Sequence, residues 1–113
     1  MPVKIKRIYE PPGADDGQRI LVDRLWPRGV SKAEAHVDVW LKAVAPSDAL
    51  RRWFGHKVDR WADFPDRYVA ELRDNPAFDE LRRLTRTPTT LLYGAKDEVH
   101  NQARVLADRL NTN

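Results

Sequence analysis

The sequence predicts a small α/β fold, a mostly parallel sheet of about four strands flanked by four to five helices, and three observations predict it. Arg19, Ile20, Leu21, Val22 and Asp23 form a short continuous apolar run, the signature of an interior strand covered on both faces. Thr89, Thr90, Leu91, Leu92 and Tyr93 form a second run that ends at Gly94. From Pro46 onward, in contrast, apolar residues recur at helical spacing.

Taken in order, Val3, Ile5, Ile8 and Tyr9 give an imperfect alternation that predicts a half-buried first strand, closed by Pro11, Pro12 and Gly13. Residues 19–23 form the second strand. Pro27 and Gly29 make the following stretch a loop, and Ser31 caps a helical turn through Ala35. Val37, Val39 and Leu41 alternate with Asp38 and Trp40, which predicts a third strand. Ser47 caps a helix that carries Leu50, Trp53 and Phe54 on one face and ends at Gly55. A longer helix is expected over 57–74, with Pro65 either kinking it or marking a later start. Asn75 and Pro76 open the next helix, whose buried stripe is Phe78, Leu81 and Leu84. After the strand at 89–93, Asp97 caps a last helix with Val99, Ala103, Leu106 and Leu110 as its core face. With no repeat, linker or low-complexity tract, residues 1–113 read as one domain.

Composition narrows the function. The 113 residues contain no cysteine, which excludes a disulfide framework, a thiolate zinc site and a cysteine nucleophile. Hydrophobic residues make up 42% and charged residues 33%, as in a globular domain. Nothing resembles a signal peptide or a membrane span, so a cytoplasmic location without membrane association is expected. Lys and Arg number 20 against 17 Asp and Glu, a formal charge of +3. All of that excess lies in residues 1–32, where seven basic residues face four acidic ones. His36, His56 and His100 follow no metal-ligand spacing, so no metal site is expected. No pattern specifies a cofactor or an oligomeric state.

Two loops carry residues suited to chemistry. The first is 23–29, where an apolar strand runs directly into Asp23, Arg24, Leu25, Trp26, Pro27, Arg28 and Gly29. Ligands in open α/β sheets bind beyond the carboxyl ends of strands. Arg24 and Arg28 could fork onto a carboxylate or phosphate, with Trp26 offering a flat apolar surface between them. The structural alternative is that Arg24 pairs with Asp23 or another carboxylate while Trp26 plugs the rim of the core. The second loop is 94–101, where the strand end at Gly94 precedes Lys96, Asp97, His100 and Asn101. If a helix opens there, its free backbone N–H groups favour an anion, Lys96 adds charge, and His100 or Asp97 is the candidate for moving a proton. Asp97 and Glu98 complement the helix dipole themselves, which is the competing structural role. Trp53, Phe54, Gly55 and His56 suit either the edge of a cleft or rim packing.

At these loops the chain resembles the YeaO-like bacterial family of unknown function (DUF 488). The resemblance rests on Val22-Asp23-Arg24-Leu25-Trp26-Pro27-Arg28-Gly29 and on Ala45-Pro46-Ser47. It continues through Leu50-Arg51-Arg52-Trp53-Phe54-Gly55-His56, then Trp61, Phe64, Arg67-Tyr68 and Glu71-Leu72. The last block is Thr90-Leu91-Leu92-Tyr93-Gly94-Ala95-Lys96-Asp97 with His100-Asn101. The family often has Ala-Ala-Arg-Asp where this chain has Gly94-Ala95-Lys96-Asp97, which keeps the charge and gives up the arginine fork. The resemblance implies an α/β domain in the bacterial cytoplasm and no particular reaction.

Three readings of function follow. The first is a small enzyme or binding protein holding a small anionic molecule between the 23–29 and 94–101 loops. The second is a nucleic-acid-binding protein using Lys4, Lys6, Arg7, Arg19, Arg24 and Arg28. The third is an interaction module presenting Trp26, Trp53 and Phe54. Whether the chain is an enzyme is left open by the residues.

Overall fold

Four strands build the sheet: β1 (Lys4–Arg7), β2 (Gln18–Leu21), β3 (Val39–Trp40) and β4 (Thr89–Tyr93), in the order β1-β4-β2-β3. The structure is a computed structural model and describes residues 2–112. Every pairing is parallel. Of the two interior strands, β4 is the last in sequence, and all five of its residues are buried. Among the described residues five α-helices surround the sheet: α1 (Lys32–Ala35), α2 (Asp48–Phe54), α3 (Phe64–Leu72), α4 (Pro76–Leu84) and α5 (Gln102–Leu110).

Strand alternation divides the side chains between two unequal layers. Ile20, Val22, Leu91 and Tyr93 meet Leu50, Phe54, Phe64, Tyr68, Leu81 and Leu106 in the main core under α2 to α5. Leu21 and Leu92 point the other way, into a small cluster with Ile8 and Ala35, edged by Trp26 and Trp40. The chain leaving β2 therefore goes to the thin layer, and the chain leaving β4 goes to the thick one. Adjacent strands whose continuations part to opposite faces open a crevice at their carboxyl ends.

Local signals place most boundaries. Ser31, Ser47 and Asn75 cap α1, α2 and α4 through their side chains, and Pro76 opens α4. Gly55 ends α2 in the left-handed region, at φ +51°. Four expectations need correction. The first strand stops at Arg7, because Glu10 folds back to take the Arg7 N–H and to donate to its carbonyl. The third is only Val39–Trp40, held between a left-handed His36 (φ +50°) and a 3-10 turn at Lys42–Val44. The helix expected over 57–74 begins at Phe64, with Pro65 in its first turn and a 3-10 turn at Val58–Arg60 before it.

The fourth correction bears on the site. The last helix starts at Gln102, and its cap is Asn101, whose side chain accepts from Arg104 N at 2.9 Å. Asp97 uses the same chemistry in a tight turn, accepting from the backbone N–H of Val99 and His100 at 2.9 Å each. Val99 is consequently outside the core, 58% exposed, and Leu84 is only partly buried. Ala103 and Leu106 are fully buried, as their spacing predicts, and Leu110 packs at the edge of the core.

Candidate functional site

The crevice between β2 and β4 opens into a cleft of about 490 Å³. Asp23 and Gly94, the residues just past the ends of the two strands, form its floor. Asp23 accepts from Gly94 N at 2.9 Å and from the Gln102 side-chain amide, so one carboxylate ties the first loop to the second loop and to α5. A Cβ at position 94 would lie 2.8 Å from Asp23 Oδ2, so an alanine there, as the family often carries, requires the Asp23 carboxylate to shift. Burial raises the Asp23 carboxyl above its ordinary value; the Gly94 N–H, Gln102 and the charge of Arg51 act in the opposite direction.

Arginines dominate the walls. Arg24 and Arg28 come from the loop after β2, and Arg51 and Arg52 from the last turn of α2. Arg24 donates to Pro46 O at 3.2 Å and lies 3.5 Å from Asp48, which Arg51 approaches at 4.0 Å. Arg28 and Arg52 have no carboxylate within 4 Å among the described residues. The apolar part of the wall is Trp26, Pro27, Pro46, Phe54 and Phe64. Trp26 is positioned by its indole N–H on Val30 O at 2.8 Å and by edge contact with Trp40.

His100 and His56 complete the lining. His100 stands edge-on to Trp61, and its Nδ1 lies 2.8 Å from Asp97 Oδ2. Bonds from the backbone N–H groups of His100 and Val99, and from the His100 ring, hold the Asp97 carboxyl down at about 2. That carboxylate only accepts, so the proton in the Asp97–His100 bond belongs to Nδ1. His56 follows Gly55 in the left-handed region (φ +57°), an uncommon conformation for a non-glycine residue, and its ring is tilted 6.0 Å from Phe54. Both the packing of α2 and the edge of the cleft thus use Phe54 and His56.

Of the sequence-predicted residues, Asp23, Arg24, Trp26, Arg28, His100 and Asn101 line the cleft. Lys96 and Asp97 do not: Lys96 is exposed to solvent, and Asp97 touches the site through His100. The expected cradle of Lys96 with a helix opening at 97 is therefore absent, since α5 begins five residues later. Sequence reasoning missed Arg51, Arg52 and Gln102 as site residues. The available signal was the pair of arginines one turn before Gly55 and His56, a stretch singled out for its aromatics alone. Among the described residues no group of His, Asp and Glu is placed to hold a metal ion. No helix among them is long and apolar enough to cross a membrane.

Elsewhere, the basic first third is largely engaged within the protein. Arg19 is 4% exposed, paired with Asp16, and donates to Ala35 O and His36 O. Lys6 pairs with the same Asp16 at 2.8 Å, and Lys4 donates to Asp15 O. The proposed aromatic edge is divided too: Phe54 is buried, and Trp53 lies beneath the guanidinium of Arg67 at 4.0 Å.

A parallel α/β protein with an arginine-lined cleft at a strand-order reversal is the class that fold and site define. The chain belongs to the DUF488 family: the family model described as "Inactive DUF488-N3 subclade" matches residues 2–113. It is 44% identical to the uncharacterized protein YeaO of Escherichia coli over 116 residues, covering 99% of each chain. It is also 44% identical to the uncharacterized protein Rv3073c of Mycobacterium tuberculosis over 110 residues, covering 96% of this chain and 93% of that one. No solved structure matches it. The family, YeaO-like and of unknown function, agrees with the resemblance carried by the two loops.

Proposed function

We propose that this protein binds a small molecule bearing an anionic group on an apolar, ring-sized body, in the cleft at the carboxyl ends of β2 and β4. The observation that carries this reading is the convergence of Arg24, Arg28, Arg51 and Arg52 on a cleft whose one lining carboxylate, Asp23, is already held by Gly94 and Gln102. Guanidinium groups recognise carboxylate and phosphate oxygens in bidentate fashion, and Trp26, Pro46, Phe54 and Phe64 offer an apolar wall beside them. Binding rather than turnover is favoured because the subclade's description calls it inactive. The internal pairing of Lys6 and Arg19 with Asp16 favours this local site over a nucleic-acid groove.

Titration calorimetry with inorganic phosphate, benzoate and phenyl phosphate tests the reading. Phenyl phosphate is expected to bind best, because it meets both the arginines and the apolar wall. Arg52→Ala is expected to weaken it by about tenfold or more, the worth of a charge-assisted hydrogen bond. If none of the three anions binds, the proposal fails. Tight, steeply salt-dependent binding of mixed DNA or RNA would put the nucleic-acid reading in its place.

A further inference from the structure

Asp48, in the first turn of α2, holds two of the cleft's arginines loosely and from outside the lining. Its Oδ1 lies 3.5 Å from Arg24 Nε and 4.0 Å from Arg51 Nη2. Arg51 reaches that oxygen as the i+3 neighbour of Asp48 on α2, whereas Arg24 comes from the loop after β2 and is brought there by the fold. Neither separation is a hydrogen bond, since an N–H closes on a charged acceptor at about 2.7–2.9 Å. Arg24 Nε is shut off from water and still has no acceptor, an uncompensated desolvation that a closer anion would relieve. The Asp48 side chain is 60% exposed and can turn out into solvent. The contrast with Lys6 and Asp16, which close to 2.8 Å, shows that the fold makes tight ion pairs where it needs them.

We propose that Asp48 is an internal counter-ion standing in for the ligand's anionic group, and that the ligand displaces it to close on Arg24 and Arg51. This rests on the anion-binding reading of the cleft. Asp48 keeps the two arginines apart from stray anions and near each other while the cleft is empty, and it lowers affinity as a consequence. It sets a threshold: a ligand must offer these guanidiniums better geometry than a carboxylate 3.5–4.0 Å away.

The test is phenyl phosphate affinity in the wild type and three variants. Asp48→Asn removes the competitor and is expected to tighten binding about three- to fivefold, the upper part of the range a loosely held exposed ion pair commands. Asp48→Glu keeps a competing carboxylate and is expected to stay within about twofold of the wild type. Asp79→Asn is the matched control: it removes one negative charge from the first turn of another helix, α4, and is expected to leave affinity unchanged. Equal tightening in Asp79→Asn would reduce the effect to net charge and overturn the proposal. Unchanged or weaker binding in Asp48→Asn, with the wild type still binding, would overturn it and leave the cleft reading standing. Absence of binding in both the wild type and Asp48→Asn would remove the two together.

Discussion

The two ends of β2 carry the same residue types and treat them in opposite ways. Before the strand and within it, Asp16 and Arg19 are 5% and 4% exposed, and Asp16 is held by Lys6, Arg19 and the Gly13 N–H. Just past its carboxyl end, Arg24 and Arg51 share the distant carboxylate of Asp48 and stay partly open to water. The first cluster satisfies its charges completely and joins β1, β2, the 8–17 loop and α1 beneath the thin side of the sheet. The second leaves an arginine N–H unpaired beside a cleft. Saturated buried networks hold a fold together, whereas charges left in search of a partner are available to a ligand.

The strongest way to break this contrast is to cut the amino-end cluster. Asp16→Ala strands a buried Arg19 and is expected to cost about 3–5 kcal/mol in urea unfolding, without a specific loss of anion affinity in the protein that remains folded. A cost under about 1 kcal/mol would mean that the cluster is better hydrated than its geometry implies.

Gly94→Ala comes next. Its Cβ would meet Asp23 Oδ2 at 2.8 Å and push that carboxylate away from the Gly94 N–H that it accepts from. We expect a loss of about 1 kcal/mol by the same measurement, accompanied by weaker binding of phenyl phosphate. Arg24→Ala should do the reverse, changing stability by less than about 1 kcal/mol because it also removes an orphaned N–H, while anion affinity falls by about tenfold.

The subtlest comparison is in pH. Asp16 is lowered from 3.8 to about 2: burial opposes ionisation, and Lys6, the Gly13 N–H and Arg19 more than offset it. Its contribution to stability is present above the ordinary carboxylate value and lost as pH falls toward 2. Asp23 is raised by burial, so its contribution has the opposite sign and is lost as pH rises through its folded-state value. Stability measured from pH 2 to 7 should therefore flatten at the acid end in Asp16→Asn. In Asp23→Asn it should lose the decline on the other side. Parallel curves for the two variants would contradict the assignment.

Much of the fold was legible because its signals are local. A cap side chain reaches a backbone N–H two or three residues ahead, and so Ser31, Ser47 and Asn75 mark helix starts whatever surrounds them. The last helix shows where that logic stops. Asp97 and Asn101 are both good caps, four residues apart, and both make capping bonds. The Asn101 amide also donates to Asp97 O, which closes the turn before the helix and delays its start. Spacing that seats Ala103 and Leu106 in the core also admitted Val99, which lies one turn too early to reach the sheet. The site was half legible for the same reason: polar residues after an apolar strand announce a strand end, but the partners across the cleft are distant in sequence.

By itself, the sequence determined the parallel α/β class, most helix starts, and a polar strand end at Asp23 and Arg24, because apolar runs, caps and prolines act over a few residues. Tertiary structure alone decided that β4 inserts between β1 and β2, which brings Gly94 and Gln102 onto Asp23. It also decided that α2 leans over that junction with Arg51 and Arg52. Glu71 of α3 holds the Ser47 cap by its N–H and hydroxyl, and Tyr68 holds Val44 O, which fixes where α2 begins. Such contacts span 24 residues along the chain, and the Gly94–Asp23 bond spans 71. No local pattern encodes which distant side chains will meet; packing the whole chain on one sheet does.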